Sequence, residues 1–166
     1  MELPKQLIQF IINNSGITYD YISYLPNRYA DIDNFNKMQE GYRFNSITNE
    51  CLVSRDLGCW HNEWYVFAVN GMDDPFFIDI SQGDVGFPVY FSWHGAGVWT
   101  QIKIADTLDQ FEQALKVVKD YEIHFPFELK SLPLNINLDN EFWDEINQTC
   151  KEYAFDNNIP LWLGVD

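Results

Sequence analysis

The chain has 166 residues, of which 25 are acidic and 10 basic, giving a net charge of −15. That length fits a single domain, predicted here over residues 1–166, and it buries enough surface to fold without a disulfide or metal staple. The charge excludes a surface built to grip nucleic acid or anionic membrane, since phosphates demand Lys and Arg. It suits a basic partner, whose capture it would accelerate, although solubility alone also accounts for an acidic chain.

Taken in order, residues 3–14 read as a first helix. Pro4 suits a first turn, where its missing N–H costs nothing, and Leu3, Leu7, Ile8 and Ile11 recur at helical spacing. Asn13-Asn14-Ser15-Gly16 ends it. Residues 17–25 are short and aromatic, a strand or the start of a second helix. Pro26 then breaks the pattern, because it disfavours helix at the residue before it. Residues 30–58 are polar and aperiodic. Tyr42-Arg43-Phe44 and Cys51-Leu52-Val53 read as short strands within them, and a long loop is the alternative.

From Trp60 the pattern sharpens. WYVFAV (Trp64–Val69) is apolar on both faces, as a central strand would be. GMDDP is a turn by composition, and FFIDI a second strand. SQGDVG (81–86) reads as a loop, followed by a strand over 88–93. HGAG (94–97) reads as a hairpin turn leading to a strand over 98–105. Asp106 is the expected N-cap of the next helix, with Asp109 in its first turn. Leu108, Phe111, Leu115 and Val118 form that helix's apolar stripe, and it is expected to end near Tyr121. A proline-broken connection over 124–135, a last helix over 139–156 and an apolar tail over 159–164 complete the reading. The expected fold is α+β, a mostly antiparallel meander of four to six strands packed against several helices.

The chemistry-bearing residues give no enzymatic signature. Asp79, Ser92 and His94 share an expected sheet face, which invites a triad reading. Side chains at i and i+2 on a strand sit about 7 Å apart, however, too far for a direct Ser–His bond, and no nucleophile elbow is present. His61, His94 and His124 and the cysteines Cys51, Cys59 and Cys150 lack zinc spacing. An odd cysteine count without repeated spacing points to free thiols in a reducing compartment. No cofactor is expected. The N-terminus does not read as a signal peptide, and no apolar run approaches a membrane span, so a cytoplasmic location is expected.

The block from Trp60 to Leu115 resembles the SUKH superfamily. The resemblance rests on the order of Trp64–Val69, Ile78-Asp79, Pro88-Val89-Tyr90, Ile104-Ala105, and Phe111 with Leu115. Leu25-Pro26 followed by Tyr29 is similar to the family's N-terminal element, although the Asn-Gly pair that often follows it is missing. The superfamily groups bacterial immunity proteins with fungal cell-wall regulators. It implies helices on a mostly antiparallel sheet, and a non-enzymatic protein that binds and blocks a toxin, often a nuclease. A net charge of −15 fits an antitoxin that imitates the polyanion a nuclease holds. The expected partner is therefore a basic toxin domain, met by a monomer or weak dimer. A general binding scaffold for a peptide, cell-wall or signalling ligand is the alternative. Candidate partner-binding residues are the loop acids Asp73, Asp74 and Asp84, with Asp79, Tyr90, His94 and Trp99 on the less apolar sheet face.

Overall fold

The computed structural model describes residues 3–19 and 25–124. Among them, five strands form one sheet in chain order: β1 (Arg28–Tyr29), β2 (Trp64–Val69), β3 (Pro75–Asp79), β4 (Val89–Phe91) and β5 (Ile102–Ala105). Each pairs antiparallel with the next, so the expected α+β meander is what forms. Helices α1 (Lys5–Asn14), α2 (Phe35–Met38) and α3 (Leu108–His124) pack around it.

All six residues of β2 are buried, and the strand is paired on both sides. Its register steps between Val66 and Ala68, where Val66 faces Phe77 and Ala68 faces Phe76. Such a bulge leaves one residue out of the ladder and increases the twist. Here it is Phe67, whose carbonyl instead accepts from the Ala30 N–H at 2.8 Å.

One face of the sheet is covered by helices. In α1, Leu7, Phe10 and Ile11 are buried on one side. Phe10 meets Phe67 edge-on at 5.1 Å and stacks with Phe111 of α3 at 5.9 Å. Phe111 in turn lies 5.7 Å from Phe76. The α3 stripe is as read from the sequence, with Leu108, Phe111, Leu115 and Val118 all buried. Asn14, at the end of α1, donates to Glu112 and ties the two helices together.

Among the described residues, no α-helix covers the other face. Trp60 fills that role, with its ring 4.8 Å from Phe77, 5.4 Å from Trp64, 5.2 Å from Trp99 and 5.1 Å from Tyr42. Its indole N–H donates to the Trp64 carbonyl at 3.0 Å, so the one polar atom of the ring is satisfied. The aperiodic stretch that delivers Trp60 is thus the second layer of the core. Within it, Phe44 bridges Cys51 and Val53 bridges Trp60 as single pairs, where short strands were expected.

Three local readings are corrected. The stretch 81–86, read as a loop, belongs to a 3-10 helix, η1 (Ile80–Val85), because the Asp79 carboxylate accepts the Ser81 N–H and starts the turn. The β4–β5 connection is longer than HGAG. It runs from 92 to 101, where Thr100 N–H bonds the Ser92 hydroxyl and Trp99 N–H bonds Gly58, outside any strand ladder. The α3 cap falls one residue later than expected: Thr107 Oγ1 accepts from Gln110 N–H, while Asp106 holds Lys103 at 2.6 Å. The readings over 20–24 and beyond His124, including the connection, last helix and apolar tail, lie outside the described residues.

Where β1 stops, a side chain takes over the ladder. Gln39 donates to the Val66 carbonyl at 2.7 Å and accepts from the Val66 N–H at 3.1 Å, with its own residue 1% exposed. Gln39→Ala strands both groups inside the protein, so we expect a loss of about 2–4 kcal/mol in urea unfolding. A loss below about 1 kcal/mol would mean water replaces the amide.

Two tyrosines set an alkaline limit. Burial, helped by the Asp73 charge, pushes the Tyr42 hydroxyl up to about 12, and burial raises Tyr29 further still. An unfolded tyrosine ionises near pH 10. A raised native value means full stability below about pH 10 and a progressive loss above it, as the unfolded state releases protons the native state keeps. Melting temperature is therefore expected to fall steeply above about pH 10, and less steeply in Tyr42→Phe. Parallel curves for the two proteins would contradict the assignment.

Candidate functional site

The seven residues singled out from the sequence do not form one patch. They divide between the two ends of β3. Asp74 precedes its first residue and Asp79 is its last, which separates the groups by about 17 Å along the strand.

At the first end, the Asn70 side chain organises the β2–β3 turn, accepting from the N–H groups of Met72 and Asp74 at 2.9 Å each. Asp73 takes a left-handed φ of 63° there and points outward, pairing with Arg28 at 2.6 Å, both well exposed. Asp74 turns inward and is 1% exposed. Its carboxylate accepts from Asn70 Nδ2 at 2.9 Å and from the His94 backbone N–H at 2.8 Å, and it meets His94 Nδ1 at 2.7 Å. Asp74 is therefore an internal staple, which removes it from the acids able to face a partner. The His94 ring is about half exposed (51%). Trp99 is half-buried against Trp60 and Tyr42. Tyr42 donates its hydroxyl to the Asp73 carbonyl at 3.0 Å, which links Trp99 to this end.

At the second end, Asp79 is half-buried and accepts from Ser81 N–H at 2.9 Å and Ser81 Oγ at 2.6 Å. Asp84 stands exposed on η1. The Tyr90 ring is buried, and its hydroxyl donates to Gln82 Oε1 at 2.7 Å, so burial raises its ionisation above the usual tyrosine value. Of the four candidate acids, Asp73 and Asp84 are the exposed ones, one at each end of β3.

The triad does not assemble. Ser92 is buried, with its hydroxyl accepting from Thr100 N–H. Asp79 sits at the far end of the strand, and His94 is oriented by Asp74. No cluster of His, Cys, Asp and Glu among the described residues is arranged to hold a metal ion. No helix there is long and apolar enough to cross a membrane.

Sequence reasoning missed two surface features. One is a cleft of about 640 Å³ lined by Val53, Ser54, Arg55, His61, Asn62, Glu63 and Asp79. The other is a set of exposed aliphatic side chains, with Leu57 fully exposed, Ile47 89% and Val98 50%. Gly58, the residue after Leu57, packs against Val98, because a Cβ on Gly58 would lie 2.9 Å from Val98 Cγ1. Both features arise in aperiodic loops, where no repeat marks a residue as inward or outward.

The family model described as SMI1 / KNR4 family (SUKH-1) matches residues 1–114. That span holds the whole sheet, α1, α2 and the first turns of α3. No curated protein and no solved structure matches the chain.

The two classes of acid are expected to respond differently to truncation. Asp74→Ala leaves two N–H donors and the His94 ring without their acceptor, and should cost about 2–4 kcal/mol in urea unfolding. Asp84→Ala should change stability by less than about 0.5 kcal/mol. Equal, small effects would show that Asp74 is solvated.

Proposed function

The chain belongs to the SMI1 / KNR4 family (SUKH-1), whose members include immunity proteins and fungal regulators and are generally non-enzymatic, and from that premise we propose that it is an immunity protein. On this reading it acts in the cytoplasm, where it binds a basic toxin domain, a nuclease, and occludes its active site. The observation that carries the reading beyond the family is the net charge of −15. A nuclease must hold phosphates with Lys and Arg, so an excess of fixed carboxylates competes for the same surface. Exposed Asp73 and Asp84 would steer the encounter from the two ends of the sheet. His94, Trp99 and Asp79 are partly exposed and would shape the contact, while buried Tyr90 would act only by holding Gln82. Asp74 would act only by fixing His94.

Electrostatic capture has a kinetic signature. Charge raises the association rate, and salt screens it, whereas dissociation depends on close packing. Co-expression with a toxin domain encoded alongside is expected to rescue growth and to yield a stable complex. Raising salt should then slow association with little change in dissociation. Asp73→Lys and Asp84→Lys should each slow association about two- to fivefold at low salt. Salt-independent association, or failure to rescue against every neighbouring toxin, would overturn the reading.

A further inference from the structure

The cleft at the start of β2 holds charges that the fold leaves unused. Eight Lys and Arg residues fall among the described residues. Arg28, Lys37, Lys103 and Lys116 meet carboxylates. Arg43 meets the backbone carbonyls of Asn62 and Trp64 and the Tyr65 ring, and Lys119 meets the Thr18 carbonyl. Only Lys5, exposed on α1, and Arg55 are left over, and Arg55 lines the cleft.

Two carboxylates line the same cleft, yet neither reaches Arg55. Asp79 uses one oxygen, Oδ1, for both Ser81 bonds. Glu63 receives only a long contact of 3.4 Å from Asn62. His61 lies flat on Trp64, with centroids 4.3 Å apart and planes within 14°, so its ring is held at one orientation beside the opening. The cleft therefore presents a cation and two anions that do not neutralise one another. Its volume, about 640 Å³, is that of a site for a ligand larger than one side chain. A purely cationic ligand would meet Arg55, and a purely anionic one would meet Glu63 and Asp79.

We infer that this cleft receives a loop of the basic protein partner, one that offers a Lys or Arg to Glu63 and Asp79 and, a residue or two away, an Asp or Glu to Arg55. This rests on the immunity reading above and names its recognition element. The long-range field attracts any basic protein, whereas the cleft admits only a loop with the right charge order, because the reverse order places like charges together.

The test has two arms. In the first, the free protein is titrated with the blocked tripeptide Ac-Arg-Gly-Glu-NH2 and with Ac-Arg-Gly-Gln-NH2, followed by amide NMR. The Glu peptide is expected to bind at millimolar concentration with shifts centred on His61, Asn62 and Glu63. Arg55→Gln should weaken it about three- to tenfold without changing the Gln peptide, and Glu63→Gln should weaken both. Absent shifts, or weakening of both peptides alike by Arg55→Gln, would overturn the inference. In the second, the complex with a neighbouring toxin domain is measured for Arg55→Glu and Glu63→Lys. Each should weaken it about tenfold or more, mostly through dissociation. Both residues are exposed, so these variants should fold, which circular dichroism checks. A toxin complex indifferent to both variants would overturn the cleft and leave the immunity reading standing. Peptide binding without any toxin complex would overturn the immunity reading and, with it, the partner assigned to the cleft.

Discussion

The structure depends on covering β2 twice. Every residue of that strand is buried, and the sheet around it carries apolar side chains on both faces. A sheet with one bare apolar face aggregates or unfolds, so a second layer is obligatory. Two helices meet the first face in the ordinary way, through Phe10 and Phe111. The second face is met by a loop-borne tryptophan. Trp60 touches Phe77, Trp64, Trp99 and Tyr42, drawn from four separate segments. The aperiodic stretch from 30 to 58 leads into that ring and helps to hold it in place, through Tyr42.

This arrangement explains which parts of the fold could be read in advance. Periodicity reports α1 and α3, whose burial repeats, while β2 and β3 show as short, almost continuous apolar runs. The loop that carries Trp60 buries single residues at irregular intervals. Ala30, Phe35, Met38, Gln39 and Trp60 are inside, with exposed residues between them. No period describes that set, so the stretch reads as loop although it helps to build the second layer of the core. The same reason hides Gln39. Its amide replaces a missing strand neighbour of β2, and a lone polar residue in a polar stretch gives no sign of such a role. Where a local rule applies, errors are small: the α3 cap is off by one residue because Asp106 and Thr107 are both good caps, and Lys103 claims the aspartate.

The candidate site was less legible than the fold. Composition gives a charge but not its placement. Asp73 and Asp74 are adjacent and identical in sequence, yet one is solvated and the other sealed inside. The left-handed φ of 63° at Asp73 turns the chain, so that the next carboxylate points to Asn70 and His94. A two-residue pattern cannot reveal this, because the cause lies in the Asn70 side chain and in a loop twenty residues away. Asp79 and Asp84 differ in a similar way, since capping η1 occupies one and not the other.

The packing also decides what can contribute to slow release. Aromatic residues ordinarily anchor protein interfaces. Here Trp60, Trp64, Phe77 and Tyr90 are all buried within the chain, and Trp99 is half-buried against two of its neighbours. Among the described residues, most aromatic rings are taken up by the two layers of the core, leaving little of them to face outward. What remains exposed near that layer is aliphatic or charged: Leu57 and Val98, and the mixed charges of the cleft around Arg55 and Glu63. A partner drawn in by the negative field would therefore find few aromatic anchors on this side. On the proposed reading, selective retention there would come from matching the order of charges and from small apolar contacts, on the same loops that complete the core.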